Sequence, residues 1–166
     1  MNNILLSPHF CLDEFTKSST AIKHGIQNNP PQEAVENLRR LCANTLEPLR
    51  EELGLPVVIT SGFRTKALNN LLAHSSERSQ HMQGQAADFY VAPGQSGLSR
   101  RELLIKAFRL IITSEQIDYD QLILYPSFIH VSYVSRERNR RTILLGMRNG
   151  KLGYGKCSIK NALTIV

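Results

Sequence analysis

Residues 120–133 read DQLILYPSFIHVSY, and the reading of this stretch decides the fold. Two apolar, β-rich runs flank Pro126-Ser127, the signature of a β-hairpin with a short turn. With that turn, Tyr125 pairs with Phe128, Ile123 with His130 and Gln121 with Ser132. Alternation then puts Gln121 and Tyr125 on the face of His130 and turns Asp120 to the other. His130 stands mid-strand between Ile129 and Val131, an unusual place for a histidine that has no use.

Working outward, AADFYV (86–91) predicts a second strand, with Ala86, Asp88 and Tyr90 on one face and Ala87, Phe89 and Val91 on the other. PVVIT (56–60) reads as a short buried strand, and TILLGM (142–147) as another with Asn149-Gly150 as a turn behind it. Before the strands the pattern is helical. Apolar residues at 34, 35, 38, 41, 42, 46, 49 and 53 form one stripe, with Pro48 expected to kink its last turns and Gly54 and Pro56 to end it. Shorter helices are expected at 12–17 and 65–73. Ser99 with Glu102 makes a capping box for a helix running to about 113. Residues 74–85 are polar and loop-like. The sum is an α+β fold, N-terminal helices packed on a mostly antiparallel sheet, in a single domain over 1–166. The tail 151–166 has no decisive pattern.

The chain has 166 residues, 42% of them apolar and 20% charged, a globular composition that excludes disordered and low-complexity classes. No apolar run approaches the ~20 residues of a membrane span. The net charge is +6, which suits an anionic partner: nucleic acid, an anionic membrane or an anionic wall polymer. With no Trp and 7% aromatic residues there is little to stack on bases, so no nucleic-acid partner is expected. The cluster Arg136, Arg138, Arg140, Arg141 reads as a solvated hairpin edge. Three cysteines, Cys11, Cys42 and Cys157, lie far apart without a CxxC, so no disulfide framework is expected, and Cys42 falls on the helical stripe. MNNILLSPHF lacks a basic n-region and a long apolar h-region. Synthesis in, and at least initial retention in, a reducing cytoplasm without a signal peptide is therefore expected.

Among five histidines, His9, His24 and His74 read as loop residues. His81 and His130 differ. His81 lies in SQHMQGQAAD (79–88), where Gly84 permits a turn and Ala86 and Ala87 permit close packing. Asp88 is an acid in an apolar strand and needs a cationic or metal partner there. Two histidines and one carboxylate, with a coordination position left for water, make a catalytic zinc set. Core histidines satisfied by hydrogen bonds beside a structural aspartate are the other reading of the same residues.

The order SGFRT (61–65), SQHMQGQAAD, FIHVSY (128–133) resembles the zinc D-Ala-D-Ala carboxypeptidase family, which shares its fold group with lysostaphin-type peptidases and the hedgehog signalling domain. The N-terminal part resembles small single-domain members, including phage endolysins, and the likeness extends over about 1–148. The resemblance implies one zinc ion held by His81, Asp88 and His130. It implies that Arg64 faces the substrate and steadies the oxyanion, and that Ser79, with Gln80 and Gln121, binds peptide. The substrate class it implies is a peptidoglycan stem peptide, cut by a D,D- or L,D-carboxypeptidase or a related endopeptidase. A zinc-containing module that binds wall peptide or a protein partner without cleaving it is the alternative.

One element of the family pattern is missing. A carboxylate that serves as general base often stands three residues before the last histidine, where this chain has Ser127. In small members an acid can follow the DQLIL strand, where this chain has Tyr125. Asp118 and Asp120 are the nearest acids, and the hairpin register turns Asp120 away. Three readings stay open: Glu77 swings in from its loop, Tyr125 orients water or stabilises the oxyanion, or the chain turns over little.

Overall fold

In the computed structural model, which describes residues 4–73, 75–146 and 155–165, the hairpin forms with the register its sequence demands. Tyr125 N–H donates to the Phe128 carbonyl at 3.0 Å, and Ile123 and Gln121 sit opposite His130 and Ser132.

The chain opens with a small hairpin, β1 (Leu5–Ser7) and β2 (Phe10–Cys11), which the sequence pattern did not announce. Helices α1 (Leu12–Thr16), α2 (Ser19–Lys23) and α3 (Gln32–Leu41) follow, then a π-helical turn at Cys42–Leu46 and α4 (Glu47–Leu53). Strand β3 (Val57–Ser61) leads to α5 (Lys66–Leu71), a 3-10 turn (Gln80–Gln83), β4 (Ala86–Val91) and α6 (Arg100–Thr113). The hairpin strands are β5 (Gln121–Leu124) and β6 (Ile129–Ser132); β7 (Thr142–Leu145), β8 (Gly155–Cys157) and α7 (Ile159–Ile165) complete the described chain. The residues expected in the Asn149-Gly150 turn, and His74, lie outside the described residues.

The strands make one sheet in the order β3-β4-β6-β5-β7-β8. Every pairing is antiparallel except β5 with β7. The fold is therefore the expected α+β arrangement. Side chains alternate across it. Ala87, Phe89, Ile129, Val131, Leu122 and Leu124 join Leu38, Leu41, Leu46 and Leu49 of the N-terminal helices and Phe108 of α6 in one buried cluster. The opposite face carries Asp88 and His130. No described helix is long and apolar enough to cross a membrane.

Pro48 acts differently from the kink expected of it. It sits in the first turn of α4, and the distortion lies before it, in the π turn. Proline has no N–H for the carbonyl four residues back, that of Asn44. The freed Asn44 carbonyl instead accepts the Asp118 N–H at 3.0 Å, and Thr45 Oγ1 donates to the Asp118 carbonyl at 2.6 Å. The break in the helix thus holds the segment that leads into β5.

Gly84 ends the 3-10 turn at φ 69, a left-handed conformation that favours glycine, and a Cβ there would lie 2.2 Å from the Ala34 carbonyl oxygen of α3. Backbone strain and collision with main chain act together at this position. Gly84→Ala is expected to destabilise the protein by roughly 2–4 kcal/mol, read as a lower urea midpoint at unchanged m.

Candidate functional site

Three backbone elements bring the site together. The 3-10 turn presents His81, β4 presents Asp88 and β6 presents His130. Because β4 and β6 pair with Asp88 opposite His130, their side chains leave the sheet on the same face. His130 Nδ1 lies 2.7 Å from Asp88 Oδ1, and His81 Nε2 lies 3.4 Å from the same oxygen. One ligand atom from each of the three residues lies within 4.8 Å of the other two.

The donor set fits a divalent cation. The His81 ring nitrogen Nδ1 is 2.7 Å from the Gly62 carbonyl, which can only accept, so Nδ1 carries the proton. Burial pushes the proton affinity of the His81 ring down, against the pull of Asp88, and favours the neutral form. Neutral His81 then aims a lone pair of Nε2 at a carboxylate oxygen. Two acceptors facing each other call for a cation between them. Burial would raise Asp88, but the attraction of His81 whenever that ring is protonated and the His130 hydrogen bond outweigh it and hold the carboxyl well below its usual range, so the carboxylate favours positive charge beside it.

The cluster opens on a cleft of about 940 Å3. All eight residues singled out from the sequence line it: Arg64, Ser79, Gln80, His81, Asp88, Gln121, Tyr125 and His130. Arg64 Nη2 reaches Ser79 Oγ at 3.5 Å, while its Nε is buried without a hydrogen-bond partner among the described residues. Burial lowers the proton affinity of Arg64 and Asp88 partly restores it. The half-buried guanidinium lines the cleft, where it can offer a donor to an incoming oxygen. Tyr125 stacks on Phe128, ring centroids 4.3 Å apart and planes 16° apart, and a Cβ on Gly146 would lie 2.5 Å from its ring. Its ring is therefore pinned as a wall of the cleft.

Asp120 corrects the sequence reading. It lines the cleft instead of pointing away. Alternation governs side chains inside a strand, and Asp120 stands one residue before β5. There its N–H donates to the Ser132 carbonyl at 2.6 Å, and Gln121 N–H donates to Ser132 Oγ at 3.1 Å. Its Oδ1 accepts from Arg140 N–H and Nε, each at 2.8 Å, and Oδ2 accepts from Gln80 Nε2 at 2.9 Å, from Ser132 Oγ at 3.2 Å and from Arg140 Nη2. Arg140 is thus engaged with a buried acid, and Arg141 pairs with Asp118 at 2.8 Å, so these two arginines are not merely a solvated edge. Sequence reasoning missed this network. Its signal was an acid at the mouth of a strand and an arginine pair at 140–141, which only the fold brings together.

The Peptidase M15 family model matches residues 8–132, a span that contains all eight candidate residues. The chain belongs to this family. A Peptidase M15 protein is a metallopeptidase, in keeping with the His-Asp-His cluster. No curated protein matches the chain.

In this M15 protein, Asp88 and Asp120 are the carboxylates that line the cleft among the described residues. Glu77 is exposed and does not line it, and neither does Ser127. Asp120 offers no basic lone pair. Burial would raise its pKa, but the Arg140 and Gln80 hydrogen bonds prevail and bring it from 3.8 to about 2. A folded-state pKa below the unfolded value means stability present above about pH 4 and lost as pH falls towards 2. The group is 1% exposed, and the shift corresponds to about 2 kcal/mol. Acid titration of stability, followed by circular dichroism in urea, is expected to show this loss in the wild type and a flatter slope over that window in Asp120→Asn.

Proposed function

We propose that the chain is a zinc-dependent peptidase that hydrolyses peptide bonds in peptidoglycan stem peptides, as a D,D- or L,D-carboxypeptidase or a related endopeptidase. The observation that carries this reading is the convergence of His81, Asp88 and His130 in an open cleft that Arg64 also lines. His81 through Nε2, Asp88, and His130 through Nδ1 would hold the metal. Zinc in such a set supplies Lewis acidity and an activated water at neutral pH.

The chain's own residues do the rest. The Gly62 carbonyl keeps the His81 proton on Nδ1, so that Nε2 is always the free face. Arg64 directs its guanidinium to the carbonyl oxygen of the substrate as negative charge develops there. Ser79 and Gln121 offer hydrogen bonds to peptide backbone or carboxylate. The stacked rings of Tyr125 and Phe128 wall one side and exclude water. The net positive chain suits an anionic wall polymer.

A second reading has an observation in its favour. Both cleft carboxylates are committed, Asp88 to the histidines and Asp120 to Arg140 and Gln80, so no free base stands beside the site among the described residues. That favours slow turnover, and at the limit a zinc-containing module that binds wall peptide without cleaving it.

The pure protein incubated with stem peptides, with and without a chelator, separates these readings by mass spectrometry of the products. Chelator-sensitive cleavage is the expected result. Stoichiometric zinc and peptide binding without cleavage would establish the second reading instead. His81→Ala and His130→Ala are expected to lose bound zinc, measured by elemental analysis, and full occupancy in both would remove the ligand assignment.

Arg64→Ala is expected to keep its metal and lower kcat by about 10²–10³. Tyr125→Glu, which puts a carboxylate on the cleft wall, is expected to raise kcat by at least about 10-fold if the reaction lacks a base. An unchanged rate would show that the base is supplied elsewhere.

A further inference from the structure

We propose that Asp120, acting through Gln80 and with Arg140, is a positioning residue for His81, so that this buried acid sets metal affinity without touching metal or substrate. The inference rests on the metal reading of the site and adds residues to it.

The side chain of Gln80 is held at both ends. Its Nε2 donates to Asp120 Oδ2 at 2.9 Å, and its Oε1 accepts from Arg140 Nη2 at 3.1 Å. Arg140 in turn holds both oxygens of Asp120. The three side chains close a ring that joins the 3-10 turn, the mouth of β5 and the segment before β7. Gln80 is the residue next to His81, so the ring fixes the backbone from which the imidazole leaves. The other end of the turn is tied to α3 instead. Asn37 Nδ2 donates to the Gln83 carbonyl at 2.9 Å, and Gly84 lies against Ala34. Arg64 N–H donates to the His81 carbonyl at 3.1 Å between these two anchors. Each end of the turn thus has its own clamp, and the clamp at the His81 end depends on Asp120.

The same contacts separate this role from that of a general base. Asp120 accepts five hydrogen bonds on two oxygens, which uses its lone-pair directions fully. It has no site from which to take a proton from water. Gln80 cannot act as a base at all. It is a useful probe because its removal leaves the Asp120–Arg140 ion pair in place. Loss of an outer hydrogen bond to a metal site usually weakens metal binding by about 10–100-fold.

The test measures zinc affinity of the full chain by competition with a chromophoric chelator, and the visible absorption of the cobalt(II)-loaded protein, for wild type, Gln80→Ala and Asp120→Asn. The expected result is about 10–100-fold weaker zinc binding and an altered cobalt spectrum in both variants. The double variant is expected to be little worse than either single one, because both cut the same tie. Wild-type affinity and spectrum in Gln80→Ala would overturn the proposal, even if thermal stability without metal falls. Zinc affinity kept in Asp120→Asn while kcat collapses would also overturn it and make Asp120 a base. Should Asp120→Asn fail to fold, Gln80→Ala alone decides. A wild-type chain that binds no zinc would remove the metal reading itself, whereas a metal-binding wild type with unaffected variants removes only the positioning role.

Discussion

Asp88 and His130 face each other across the antiparallel pair β4–β6, with the imidazole 2.7 Å from the carboxylate. A register shift of one residue would send either side chain into the apolar layer, where Phe89 and Ile129 now lie. The burial of Ala87, Phe89, Ile129 and Val131 on the helix side of the sheet therefore holds the polar pair on the cleft side. The hydrophobic pattern that makes the sheet also decides which atoms meet at the site.

His81 comes from outside the sheet and needs separate support. The Gly62 carbonyl selects its tautomer, Gly84 allows the 3-10 turn to lie against α3, and the Asp120–Arg140–Gln80 ring closes the other end. These contacts reach back to the N-terminal helices and forward to the segment before β7. A histidine fixed this way loses little freedom on binding a ligand, which is the benefit of preorganisation. The cost is local. The turn depends on a residue in a left-handed conformation and on a buried carboxylate that must stay ionised.

The cleft is chemically lopsided. Arg64 brings a guanidinium, Tyr125 and Phe128 bring a rigid apolar wall, and the two carboxylates are already bound by protein groups. On the proposed reading such a site would hold a peptide and polarise its carbonyl, with no uncommitted carboxylate beside it among the described residues.

Much of this was legible in short stretches of the chain. The strands at 86–91 and 120–133, the capping box at Ser99 and Glu102, and the pairing of Ile123 with His130 follow from periodicity and turn chemistry, which act over a few residues. The candidates His81, Asp88 and His130 were visible as polar groups in apolar surroundings, and the motif order pointed to their family. Their meeting at one point was decided by the tertiary structure, as was the direction of Asp120, which lies just outside the strand where alternation no longer governs. The role of Pro48 was likewise beyond local reading, because the carbonyl it frees is taken by Asp118, far along the chain. Local sequence determines which faces are apolar and where the chain turns. Only the packed fold decides which distant donor reaches a given acceptor, because that choice depends on burial and geometry shared among segments with no pattern in common.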